Sequence, residues 1–383
     1  MNKSKIDWTD YTWNPVTGCQ FNCPYCFARR QSLRFSGDIR LNLTDERCHG
    51  DKEKGLYVLD KPFITREDRS ISYPFGFAPT FHEYRLDWPG NVKNSANIFV
   101  CSMADLFGEW VPDDWIEKVF RACEKYDQHN YLFLTKNPSR LDKAIDNFVC
   151  EDRGSQDSYN FFSKFWFGTT VTSQKDSERI SQLSILEEGH RFLSIEPLHG
   201  PVFLDLKKER CPKCGSTQIY QENLPSTDLP HWYCDCCDEW ESEDGSDLRP
   251  NIDWVIIGAE TGRRKGKISP KKEWVHDIVR QCRDDAGIPV FMKDSLRELM
   301  GKEFVQEFPP ELLHKPISQK LKKKLWEPCG ICGTDRPKKE MIALLYRVKR
   351  GEGVIRLGYA CPECFSKLQA AITSGSPCEI KDV

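Results

Sequence analysis

The sequence predicts an α/β protein built on a partial (βα)6-type barrel of parallel strands, with one inserted and one C-terminal zinc ribbon. Three observations lead there. Short, continuously apolar runs alternate with amphipathic stretches at helical spacing, the pattern of strands covered by helices. Each run ends in polar residues, so the strand ends can gather into one rim. Two later regions carry cysteine pairs at ribbon spacing. A doubly wound open sheet has the same alternation and is the alternative.

Trp13 to Val16 reads as the first strand, ahead of a cysteine loop. Ile98–Cys101 is the next strand. A helix from about Asp114 to Tyr126 follows, with Trp115, Ile116, Val119, Phe120 and Cys123 at helical spacing. Tyr131–Leu134 is a strand, and Asn137-Pro138-Ser139 opens a helix with Ser139 as its cap. Phe165–Phe167, a helix around Asp176 to Leu186, and Arg191–Ile195 come next. Trp254–Ile257, a helix from Lys272 to Asp284, and Val290–Met292 close the series. The expected division is 1–207 for the first part of the barrel, with an irregular insertion at 45–95. An inserted ribbon at 208–250, the rest of the barrel at 251–310 and a C-terminal zinc-binding region at 311–383 complete it.

Hydrophobic residues make up 39% of the 383-residue chain and the formal charge is −3, so a packed core is expected and no overall basicity draws it to polyanions. No segment reads as a signal peptide or spanning helix, which predicts a cytoplasmic protein without a membrane partner. In that compartment the 18 cysteines imply metal rather than disulfides.

Cys211, Cys214, Cys234 and Cys237 form two C-x2-C pairs 19 residues apart, the spacing of a tetrahedral zinc ribbon. Cys329, Cys332, Cys361 and Cys364 repeat it across 28 residues, next to Lys322, Lys323, Lys324 and Arg336. Both sets read as folding support. The second is the better candidate for a nucleic-acid contact. Cys19, Cys23 and Cys26 differ: C-x3-C-x2-C on one loop can hold three irons of a 4Fe-4S cluster and leave the fourth iron open to a small molecule. A zinc site completed by Cys48 or His49 is the alternative.

This loop, with Tyr25 before the last cysteine, resembles the signature of the radical S-adenosylmethionine superfamily. Trp13–Cys19, Ser102–Phe107, Leu134–Pro138, Phe192–Leu198 and Asp253–Glu260 together resemble a phage and mobile-element family of radical-SAM-like proteins. The likeness spans about residues 6–300 apart from the first ribbon. Many members of that family have a longer gap between the first two cysteines; here the spacing is the superfamily's own. The resemblance implies a 4Fe-4S cluster, S-adenosylmethionine bound to its open iron, and a 5′-deoxyadenosyl radical that takes hydrogen from a substrate. A reducing partner such as a flavodoxin or ferredoxin would supply the electron. Nucleic acid or a nucleotide is the preferred substrate class over a peptide.

The resemblance also assigns roles. Tyr25 would lie against adenine. Ser102 and Asp105 stand where members often have Gly-Gly-Glu for the methionine amino group. Thr170 and Glu196 match ribose contacts, and Gly258 the glycine that admits adenine. His82, Lys136 and Lys293 are substrate-side candidates. In a peptide-modifying variant the later cysteines would hold auxiliary iron–sulfur clusters. A non-catalytic zinc-rich adapter for nucleic acid or protein is the competing function.

Overall fold

The computed structural model describes residues 2–313 apart from 46–48, 66–67, 151–160, 187, 205, 207, 214–218, 224–229, 235–240 and 243–248. Beyond 313 it describes four short strands, Trp326–Pro328, Asp335–Pro337, Ile342–Arg347 and Val354–Ala360. The chain divides into two compact units, Met1–Leu312 and Leu313–Val383. In the second unit the four strands pair as two antiparallel hairpins.

The first unit is organised by seven parallel strands: β1 (Tyr11–Trp13), β2 (Asn97–Val100), β3 (Asn130–Thr135), β4 (Phe165–Thr170), β5 (His190–Ile195), β6 (Trp254–Ile257) and β7 (Val290–Met292). They neighbour one another in chain order, with Asn2–Lys3 added antiparallel to β1. A doubly wound sheet would reverse its order at a switch point, and this one does not. Right-handed crossovers that always step the same way put every helix on one face, and a twisted sheet covered on one face curls. The edges come near without pairing: the Asp294 amide, just past β7, donates to Asp7, just before β1, at 3.0 Å. The result is a partial barrel.

The crossovers carry α1 (Phe27–Arg34), α2 (Asp113–Lys125), α3 (Pro138–Cys150), α4 (Glu178–Ser184) and α5 (Lys272–Val279). In α2 the expected apolar face is the buried one, while Asp113 and Asp114 complement the positive helix start. Alternate strand residues divide between two cores. Ile98, Val100, Tyr131, Phe133, Leu193 and Ile195 pack outward under the helices. Inside the barrel Trp8 rises into the centre, 4.8 Å from the Phe99 ring, 6.0 Å from Phe192 and 6.2 Å from Trp254. Burying such side chains stabilises by about 2–3 kcal/mol each.

Several local expectations shift. The first strand breaks at Asn14-Pro15: β1 ends at Trp13, and Val16–Thr17 joins a different sheet with Thr80–His82. Proline has no N–H for the ladder. The helix expected after Ser139 begins at Pro138, a residue suited to the first helical position. Ser139 therefore lies inside the first turn, its hydroxyl on Asn137 at 3.0 Å. The α5 helix gives way to a π-turn at Arg280–Asp285. The 45–95 stretch contains regular pieces, including Tyr57–Leu59 paired parallel to Thr80–His82, over a small core of Tyr57, Leu59, Phe63 and Phe75.

Candidate active site

The cysteine loop is built by its flanks. Gly18 precedes it at φ +87°, where a β-carbon would overlap the Ala78 carbonyl, so only glycine lets the chain enter here. Its amide donates to Met103 O at 2.9 Å, and the Cys19 amide donates to Phe77 O at 3.2 Å. Cys26 caps α1: its sulfur accepts the Arg29 amide at 3.2 Å. Arg29 reaches back to donate to the Cys19 carbonyl at 3.2 Å while its guanidinium lies 4.9 Å from the centre of the Phe77 ring. Turn, cap and arginine fix three half-buried thiols on one short arc, none in a disulfide.

These thiols open onto a cavity of about 160 Å³ at the C-terminal ends of the strands, where parallel α/β sheets place their chemistry. Cys19, Cys23, Tyr25 and Cys26 of the loop line it together with Ser102, Asp105, Lys136 and Thr170 from the strand ends. Eight of the site residues expected from sequence thus line one space.

Asp105 is buried and both its oxygens are engaged: Oδ1 accepts from Thr135 Oγ1 at 2.7 Å and the Phe107 amide at 3.2 Å, Oδ2 from the Lys136 amide at 2.8 Å. Burial pushes its carboxyl above the usual range, opposed by those hydrogen bonds. A carboxylate accepts about four hydrogen bonds, so three leave one position for a ligand. Ser102 donates to Asn14 Oδ1 at 3.2 Å, which also accepts the Met103 amide at 3.0 Å. Burial pushes the Cys19 thiol up to about 12, with Asp105 acting in the same direction and Lys136 against it. Burial and the neighbouring Cys23 push the Tyr25 hydroxyl up as well. The Tyr25 ring is held edge-on by His199 at 5.3 Å, and Lys136 Nζ lies 6.0 Å from its centre.

Three expected residues form a separate group on the rim. Glu196, after β5, pairs with Lys293, after β7, through both oxygens at 2.6 and 2.7 Å. Gly258, after β6, leaves room for that pair; a β-carbon there would stand 2.9 Å from the Glu196 carboxyl carbon and 3.0 Å from the Lys293 chain. His82 joins neither group. It is wholly buried, with Nε2 2.9 Å from Thr17 Oγ1 and Nδ1 3.5 Å from the Tyr84 hydroxyl. It lies in the packed interior and is not among the residues lining the cavity.

Sequence reasoning named Glu260 as a strand-end residue but missed His199 and Arg264, which tie it to the cysteine loop. His199 contacts Tyr25 on one side and lies 3.6 Å from Glu260 on the other. Glu260 is buried and gripped by Arg264 at 2.6 and 2.7 Å, which holds its carboxyl below the usual range. Arg264 stands four residues after a strand-end carboxylate, the one signal available; His199 had none.

The donor set is of the kind a cysteine-held cluster uses: Cys19, Cys23 and Cys26 are free and line one cavity. Among the described residues no group of three or more His, Cys, Asp or Glu converges on a single metal ion. Of the alternative fourth ligands, His49 is engaged with Asp60 at 2.9 Å and Cys48 lies outside the described residues. In the stretch expected to be the inserted ribbon, Cys211 and Cys234 are buried together beside Ile219 and Trp232, and the Lys213 amide donates to the Cys211 sulfur at 3.4 Å. Cys214, Cys237, Cys329, Cys332, Cys361 and Cys364 lie outside the described residues.

The family model described as Protein of unknown function (DUF5131) matches residues 3–302, which takes in the whole barrel and the cavity. The chain belongs to this family. No curated protein matches it. Among solved structures, a spore photoproduct lyase with one cysteine replaced by serine is similar at 12% identity and a TM-score of 0.31, over 51% of this chain and 48% of its own. The chain thus spans about half the length of that protein. No described helix of this DUF5131 member is long and apolar enough to cross a membrane.

Proposed function

We propose that this protein is a radical S-adenosylmethionine enzyme. One observation carries the reading: three cysteines on one loop share a cavity with Tyr25, Asp105, Lys136 and Thr170 at the C-terminal rim of a parallel sheet. Bound there, a reduced 4Fe-4S cluster supplies the electron that cleaves S-adenosylmethionine to methionine and a 5′-deoxyadenosyl radical.

Cys19, Cys23 and Cys26 would be the iron ligands, with the Arg29 amide already directed at one sulfur, a contact that tunes such clusters. The remaining acceptor position on Asp105 suits an ammonium group, and Ser102 lies beside it. Tyr25, steadied by His199, gives a flat face for a purine, with Thr170 lining the same cavity. The aromatic interior around Trp8 keeps water from entering below. Positioning and exclusion of quenchers are what the chain itself supplies. A one-electron donor such as flavodoxin or ferredoxin is the implied partner, and zinc at the two ribbons would support the fold.

The test is anaerobic reconstitution with iron and sulfide. The expected product is a brown protein with about four irons and four sulfides per chain that forms 5′-deoxyadenosine when reduced with S-adenosylmethionine. Cys23→Ala should lose both properties. A colourless protein carrying zinc on the triad overturns the proposal.

A further inference from the structure

The geometry points to a basic band beside the cavity that binds the phosphate backbone of a single-stranded nucleic acid. Its assignment as the substrate-binding surface rests on the function proposed above; the binding itself does not.

The band has two halves. Residues 20–37 contain three arginines and no acid, and residues 261–272 contain six Lys and Arg and no acid, in a chain whose formal charge is −3. The fold brings the halves together. A β-carbon on Gly262 would lie 3.7 and 3.9 Å from the two terminal nitrogens of Arg30. Arg264 is spent inward: beyond its two bonds to Glu260 it donates to the carbonyls of Lys265 at 3.3 Å and Gly266 at 3.1 Å. It pins the turn from below, and Lys265 and Lys267 stand exposed on it. Among the described residues the side chains of Arg30, Arg263, Lys265 and Lys267 make no hydrogen bond or ion pair. Unpaired like charges held in proximity cost repulsion, which an anionic ligand would relieve.

Both halves are tied to the cavity. The first helix starts directly after Cys26, and the basic turn follows Glu260, which reaches Tyr25 through His199. Exposed aromatic faces accompany the cations: Phe27 is 64% exposed at the head of the helix, and Phe21, 37% exposed, lines the cavity itself. Cations that track a backbone, interleaved with open aromatic rings, are the means by which single strands are held. A duplex fits less well, because a paired nucleotide keeps its own base and sugar inside the helix, away from a site at the strand ends. An anionic bilayer resting on the same cations would cover the cavity mouth, whereas a strand crosses it.

The test uses the full chain without reductant or S-adenosylmethionine, titrated into labelled oligouridylate and oligothymidylate while salt is varied. Four phosphate contacts predict a slope of log K against log salt of about −3. The triple variant R263A/K265A/K267A should lower the magnitude of that slope by about 2 and weaken binding at least about tenfold. Phe27→Ala should weaken binding with the slope kept. No binding at low salt, a triple variant that binds like the parent, or anionic vesicles bound in preference to either oligonucleotide overturns the inference. Cys23→Ala should bind as the parent does while forming no 5′-deoxyadenosine. A parent that forms 5′-deoxyadenosine yet binds no oligonucleotide refutes the band alone; one that binds oligonucleotide but never forms 5′-deoxyadenosine refutes the enzyme reading alone.

Discussion

Lys293 places its ammonium between both carboxylate oxygens of Glu196, 97 residues away in sequence, and the pair occupies the space that Gly258 leaves. Both side chains are mostly buried, at 20% and 25% exposure, so neither charge is comfortable alone. Lys293→Ala should cost about 2 kcal/mol, chiefly from the stranded carboxylate, and Glu196→Gln in the same chain should recover most of it. Urea unfolding of the single and double variants checks this. Equal losses in both would show that the pair contributes through packing instead.

Gly18→Ala should destabilise by about 2 kcal/mol or more, because φ +87° and the Ala78 carbonyl oppose a β-carbon together. The strain falls on the entry to the cysteine loop. The variant should therefore also take up less iron on reconstitution than its folded fraction would allow, as measured by metal analysis after gel filtration.

His82 gives a pH signature. Burial first, then the nearby Arg85 charge, hold its imidazole well below the usual 6.5. As pH falls below about 6.5 the unfolded chain takes a proton that the folded chain refuses. Stability should then drop at up to about 1.4 kcal/mol per pH unit. The contribution is complete above that pH and is lost on acidification. Denaturant midpoints between about pH 7 and pH 5 should show the slope in the parent and a flatter one in His82→Gln.

His199→Ala removes the edge-on partner of Tyr25, a contact worth about 1 kcal/mol. Global stability should change by no more than that, yet reconstituted iron should be lost to a chelator several-fold faster. His199→Phe, which keeps an aromatic edge, should restore the parent rate. Unchanged chelation kinetics in the alanine variant would rule out the positioning role.

Legibility from sequence followed locality. The strands were readable because each is a short apolar run, and the cysteine loop because its ligands are neighbours. Element boundaries depend on single residues: Pro15 divided one expected strand, and a helix starting at Pro138 left Ser139, the expected cap, inside the first turn. Pairings across the rim were invisible. Nothing local ties Glu196 to Lys293, or His199 to Tyr25, since each partner is delivered by a different strand end. His82 shows the opposite case. A histidine among aromatic residues reads the same whether it faces a ligand or fills a core, and only its zero exposure decides.

Trp8, wedged among Phe99, Phe192 and Trp254, stoppers the barrel from beneath. On the reading proposed above, chemistry on this scaffold would take place at the lip, with no shaft to descend. A reactant need offer only one protruding unit, and the length of whatever trails behind it is unrestricted. Polymers and small molecules then meet the same reactive spot on equal steric terms, and selection between them falls to the surface outside the mouth.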